Sequence, residues 1–237
     1  MQNKIIAVAG YKNSGKNTVA SMLQYLYNSP KFLHNYIGYK LFAKFYTKGN
    51  FKVTSFAYPL KRTLSALLDI DISKFEDRIF KETYFIYFPD LIITNKPDCA
   101  KVISEGKFSR MVNNKDLSFL KTNYITIRQL LQVFGTECMR DTFGDKLWIL
   151  STLKQKGNLI ISDLRFKVEY ESIKNLGGTT ILVDNPNCKP GNHASEQEIL
   201  ELSTSNKFDI VIQNDGNNIK NLFNEVLYMY NNILCLL

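Results

Sequence analysis

Only four cysteines and two histidines occur among 237 residues. The cysteines, at positions 99, 138, 188 and 235, show no Cys-x-x-Cys spacing. They do not form a disulfide framework for a chain of this length, and reduced thiols are expected. His34 and His193 are far apart in sequence, which argues against a structural zinc site. No apolar run approaches the roughly 20 residues that a membrane-spanning helix needs. The apolar stretch at the N-terminus is short and leads straight into a loop, unlike a signal peptide. There is no internal repeat, low-complexity linker, basic tail or recognised nucleic-acid module. A soluble, intracellular protein with no membrane partner is the expectation.

Hydrophobic residues make up 45% of the chain, enough for a core. The length suits a single domain, 1–237, carrying an insertion, better than two full domains. Lys plus Arg outnumber Asp plus Glu by 30 to 22, a net charge of +8. That excess suits an anionic ligand, either nucleotide phosphates or nucleic acid. With no nucleic-acid module present, a small polyphosphate is favoured.

The densest signal is Gly10-Tyr11-Lys12-Asn13-Ser14-Gly15-Lys16-Asn17-Thr18. It follows the apolar run Ile5-Ile6-Ala7-Val8-Ala9 and opens a segment of helical period, the context a phosphate-binding loop requires. Two glycines let the backbone curl so that successive N–H groups face an anion. The amino end of the next helix adds partial positive charge, and Lys16 reaches the outer phosphates of a nucleoside triphosphate. The residue after the lysine is Asn17, where Ser or Thr is usual, and the hydroxyl follows at Thr18. Gly-Lys-x-Thr resembles the loops of nucleoside monophosphate kinases, and that resemblance implies a Thr18 bond to a phosphate oxygen, with magnesium held mainly through ATP and water.

Val19, Met22, Leu23 and Leu26 give residues 16–27 one apolar helical face. Residues 28–51 read as an irregular connection or a local insertion. A strand is expected over 53–57, and a helix starting near Pro59 with Leu60, Leu64, Leu67 and Leu68 on its face. Residues 84–123 have no clear period, with breakers at Pro89 and Pro97. They form either a lobe that closes over a substrate or an ordered surface excursion, and an inserted lobe is bounded at 84–125. Helices follow at 127–139 and 145–155, then a strand at 159–161, a helix at 167–176, strands at 180–183 and 209–212, and a helix at 217–233. Continuous apolar strands alternating with amphipathic helices predict an α/β fold, with a mostly parallel five-stranded sheet covered on both faces. Ligands then bind at the carboxyl ends of the strands.

Chemistry-bearing residues fall at those ends. Asp163 and Arg165 follow the third strand, with Glu169 beyond, and Asn214-Asp215-Gly216 follows the fifth. Arg165 either grips phosphate bidentately or pairs with an acid to fix its loop. Asp163 either organises magnesium or binds a base or sugar edge. Arg128 and Arg140 flank Gly135-Thr136 and suit a monophosphate, or form a solvated helix face. The single tryptophan, Trp148, either stacks on a base or packs in the core.

Taken in order, these segments resemble the deoxynucleoside monophosphate kinase family of bacteriophages and large DNA viruses. The resemblance rests on the loop at 10–18, Phe56-Ala57-Tyr58-Pro59-Leu60-Lys61, Arg128 to Thr136, Trp148, and Asp163-Leu164-Arg165 with Glu169. It extends to His193-Ala194-Ser195-Glu196 and to 212–216. It implies ATP held by Gly10 and by Asn13, Ser14, Gly15, Lys16, Asn17 and Thr18. It implies a deoxynucleoside monophosphate surrounded by Lys12, Leu60, Lys61, Arg128, Gly135, Thr136, Arg140, Trp148, Asp163, Arg165 and Glu169. Lys12, Lys16 and Arg165 would act on the transferred phosphoryl group, with no general base. The implied setting is cytoplasmic, the host's cytoplasm for a viral protein, and a homodimer is an allowed assembly. A kinase for another phosphorylated metabolite, such as dephospho-coenzyme A, and a DNA-associated ATPase remain open from the loop alone.

Overall fold

A computed structural model describes residues 3–87, 92–94, 102–103, 107–111, 124–189 and 194–234. Cys99, Cys235, Pro89, Pro97 and His193 lie outside the described residues, as does most of 88–123. The chain forms two compact units, Met1–Phe56 with Thr152–Leu237, and Ala57–Ser151. The stretch 84–125 falls within the second.

The first unit is built on five parallel strands: β1 (Ile5–Ala9), β2 (Phe51–Thr54), β8 (Asn158–Leu164), β9 (Thr179–Asp184) and β10 (Ile210–Gln213). Their order across the sheet is β10-β9-β1-β8-β2, which puts β1 in the middle. Side chains alternate between faces along each strand. Ile6, Val8, Ile160, Ile181, Val183, Ile210 and Ile212 share one buried cluster with Val19, Met22 and Leu23 of α1 (Lys16–Asn28) and Leu222, Phe223 and Val226 of α10 (Ile219–Met229). α8 (Lys167–Asn175) packs on β9, and α9 (Ala194–Thr204) on α8. The parallel five-stranded α/β fold expected from the sequence is present.

Several elements differ from the expectation. Residues 31–46 are not irregular: two 3-10 turns, Lys31–Leu33 and Ala43–Tyr46, flank α2 (Tyr36–Phe42). Their aromatic rings pack on α1 and α10, as in the 5.3 Å stack of Tyr39 on Phe223, without a regular apolar period. β2 ends at Thr54 rather than at 57. β8 runs on to Leu164, so Asp163 lies inside the strand. α9 was not expected at all.

The second unit contains α3 (Tyr58–Leu68), α4 (Arg78–Thr83), α5 (Ile127–Gln132), α6 (Asp141–Phe143) and the first five residues of α7 (Leu147–Leu153). It also holds β3 (Phe85–Tyr87), paired antiparallel with β7 (Tyr124–Thr126), and the short strands β4 (Ile92–Thr94), β5 (Val102–Ile103) and β6 (Lys107–Met111). Leu60, Leu64, Phe75, Ile127, Leu130, Val133 and Trp148 form its core. The helix expected over 127–139 changes character after Gln132: Val133–Arg140 is π-helical. Among the described residues no helix is long and apolar enough to cross a membrane.

Candidate phosphate-binding site and strand-end residues

The loop between β1 and α1 takes its shape from two glycines. Gly10 has φ 149°, and a Cβ there would lie 2.4 Å from Ser14 Oγ and 2.7 Å from the Val183 carbonyl oxygen. Gly15 has φ 102°, and its Cβ would meet Asn214 Nδ2 at 2.7 Å. Asn13 takes the left-handed region at φ 65°. Ser14 N–H closes the turn on the Tyr11 carbonyl at 3.1 Å. α1 then starts with no side-chain cap and no acidic residue in its first turn. The first N–H groups of a helix have no intrahelical partner, so this end is built for an anion.

Lys16 is buried, and its Nζ donates to the Tyr11 carbonyl at 2.6 Å, folding the side chain back along the loop. Ser14 Oγ is buried with no hydrogen-bond partner among the described residues. Lys12, Asn13 and Asn17 are exposed and Thr18 is half-buried. The loop is fastened from β10: Asn214, 8% exposed, donates from Nδ2 to the Ser14 carbonyl at 2.8 Å and accepts from Gly216 N–H at 3.1 Å. The Asn214 N–H in turn donates to the Asp184 carbonyl at 2.8 Å. Sequence reasoning placed Asn214 at a strand end but gave it no role. Nothing in its local sequence marks a partner 200 positions away.

Beside the loop, β1 and β8 fall out of step. Ala7 pairs with Ile161 and Ala9 with Leu164, so one residue of β1 faces two of β8, Ser162 and Asp163. Such a bulge re-aims a side chain. The Asp163 carboxylate accepts from Phe56 N–H at 2.7 Å through Oδ1. Arg165 is exposed just past the strand. Glu169 is 2% exposed, and its Oε2 accepts from the N–H groups of Arg165 and Phe166, at 2.8 and 3.0 Å. It caps α8 and so sets the backbone that carries Arg165.

The second unit gathers the other candidates. Lys61 Nζ pairs with Glu76 at 2.7 Å, and Arg128 Nε with Glu82 at 2.5 Å. Leu60 packs against Gly135, where a Cβ would meet Leu60 Cδ2 at 2.6 Å. Thr136 and Arg140 are half-buried in the π-helical segment. Trp148 is 5% exposed and its Nε1 donates to the Gly135 carbonyl at 2.9 Å. The ring is packed in the core of the second unit, and its N–H satisfies a carbonyl of the widened helix.

A parallel α/β fold whose central strand opens through a glycine loop onto an uncapped helix is a nucleotide-binding architecture. The chain belongs to the deoxynucleotide monophosphate kinase family, whose model matches residues 4–226. It is similar to a protein of Acanthamoeba polyphaga mimivirus named "Putative deoxynucleotide monophosphate kinase", 29% identical over 124 residues. That match covers 45% of this chain and 62% of the length of the relative. A solved structure titled as a "putative plasmid partition protein" from Borrelia burgdorferi B31 bound to AMPPNP aligns over 97% of this chain and 98% of its own, at 15% identity and a TM-score of 0.32.

Proposed function

We propose that the protein transfers the γ-phosphoryl group of ATP to a deoxynucleoside monophosphate, giving ADP and the diphosphate. The observation that carries this reading is the β1–α1 loop: an uncapped helix start, two glycines at positive φ where a Cβ would crowd its neighbours, and Lys16 folded along the carbonyl side. Family membership supports a deoxynucleotide as the acceptor class. In this reading the amide groups at the start of α1, Thr18 and the displaced Lys16 ammonium hold the triphosphate. Thr18 and the Asp163 carboxylate would face the water shell of a magnesium ion carried in with ATP, which would screen phosphate charge. Arg165 and Lys12 neutralise charge on the phosphoryl group in transfer. Lys61, Arg128, Thr136 and Arg140 serve the acceptor. Trp148 and Glu169 act at one remove, by holding Gly135 and Arg165. The acceptor phosphate is already anionic, so no general base is assigned. The reaction belongs where nucleotides are pooled, in cytoplasm.

An ADP-release assay tests the reading. The four deoxynucleoside monophosphates, their ribose counterparts, dephospho-coenzyme A and single-stranded DNA are each supplied with ATP and magnesium. ADP release that depends on one or more deoxynucleoside monophosphates supports it. Release that depends on dephospho-coenzyme A or on DNA instead overturns it.

A further inference from the structure

Three cationic side chains of the second unit lie around one short helix. At the start of α4, Glu76 immediately precedes the cap residue Asp77 and pairs with Lys61 of α3 at 2.7 Å. At its far end, Glu82 pairs with Arg128 of α5. Backbone geometry brings the second pair together. Ile127 N–H donates to the Tyr84 carbonyl at 3.2 Å, and Phe85 is in register with Thr126, so the end of α4 lies beside the start of α5. Lys81 sits in the last turn of α4, between the two pairs. Its ammonium makes no hydrogen bond or ion pair with any described residue. Burial, then the charges of Lys61 and Arg128, push its pKa below the ordinary lysine value, while Glu76 and Glu82 pull it back up.

A lysine held beside two other cations opposes folding, because burial and like charge both disfavour its protonated form. An anion at this place would reverse that. The glutamate side chains are 65% and 49% exposed. Ion pairs so open to water contribute little, so either carboxylate can give way to a phosphate oxygen at small cost. Lysine and arginine together supply both the point charge and the fork that phosphate takes.

We propose that Lys61, Lys81 and Arg128 form one phosphomonoester site, that it takes the phosphate of the monophosphate acceptor, and that Lys81 is its third cationic ligand. The identity of the ligand rests on the kinase reading above; the anion site does not. The sequence had marked Lys61 and Arg128 separately and had passed over Lys81.

The test uses the full chain as parent, Lys81→Met and Lys81→Arg. Each is titrated calorimetrically with the four deoxynucleoside monophosphates, with the same deoxynucleosides lacking phosphate, with inorganic phosphate, and with AMP-PNP. Lys81→Met should bind the best monophosphate about tenfold more weakly, the scale of one hydrogen bond between charged groups. Its affinities for the bare deoxynucleoside and AMP-PNP should match the parent's. Lys81→Arg should restore most of the loss. The melting temperature of Lys81→Met should equal or exceed the parent's, whereas a structural lysine would lower it. If the parent phosphorylates no deoxynucleoside monophosphate but binds inorganic phosphate through Lys81, the site stands and the kinase reading falls. If turnover is present and Lys81→Met binds monophosphate like the parent, or if the parent binds neither monophosphate nor phosphate, the site is overturned.

Discussion

The side-chain amide of Asn214 donates to the Ser14 carbonyl oxygen at 2.8 Å, tying the end of β10 to the phosphate-binding loop. The bond is buried, so its loss leaves a carbonyl without a partner, at a cost of about 1 to 3 kcal/mol. Asn214→Leu should weaken AMP-PNP binding by roughly tenfold or more on that scale, with far-UV circular dichroism unchanged. Parent-like nucleotide affinity in this variant would show that the loop holds its shape without the tie.

Gly10 admits no side chain. A methyl group would meet backbone oxygen of Val183 as well as Ser14 Oγ, at a φ that alanine rarely adopts. Gly10→Ala should therefore abolish measurable nucleotide binding, or destabilise the first unit enough to lower the melting temperature. Gly144→Ala, where φ is also positive but nothing lies within 4 Å, is the matched control. It should retain nucleotide binding.

Trp148 separates packing from base recognition. Trp148→Phe keeps most of the apolar volume but removes the hydrogen bond to Gly135. It should cost about 1 to 3 kcal/mol of stability in urea unfolding. Its relative rates on the four deoxynucleoside monophosphates should match the parent's. A changed base preference at unchanged stability would return the indole to the role of a stacking platform.

Asp209 fastens β10 to β9. Its Oδ1 meets Lys174 Nζ at 2.6 Å, and its Oδ2 accepts from both the N–H and the hydroxyl of Thr180 at 2.8 Å. Burial pushes the carboxyl up, but Lys174 and Thr180 more than offset this and hold it below the ordinary value. The ionised form therefore favours the folded state. Its contribution is present above the unfolded value, about 3.9, and disappears as pH falls through the lower folded one. Asp209→Asn should be less stable than the parent at pH 7. In urea midpoints the difference should shrink steadily below about pH 4. A difference constant down to pH 2 would contradict this.

The sheet and the loop were legible because local pattern and tertiary role agree there. Ile5–Ala9 is apolar at every position since β1 is buried on both faces, and the glycines of the loop mark backbone that other residues rarely adopt. β8 was cut short in the sequence reading because Ser162 and Asp163 break its apolar run, and a bulge has no pattern of its own. The π-helical turn at 133–140 leaves the apolar spacing of an α-helix nearly intact, so it passed as one. Glu169 caps α8 behind Phe166, without the Ser or Thr that usually signals a capping box. Lys81 stayed hidden because its significance comes from Lys61, 20 positions before it, and Arg128, 47 after, and no periodicity links the three.

Chemical transfer itself is the most direct test of the central claim. ATP labelled at its γ-phosphate is incubated with the protein and each deoxynucleoside monophosphate, and the products are separated. The parent should move label into a deoxynucleoside diphosphate in step with ADP, while Lys16→Ala should move none and Arg165→Ala should turn over more slowly at near-normal ATP affinity. Label recovered only as inorganic phosphate, or full transfer by Lys16→Ala, would contradict the account.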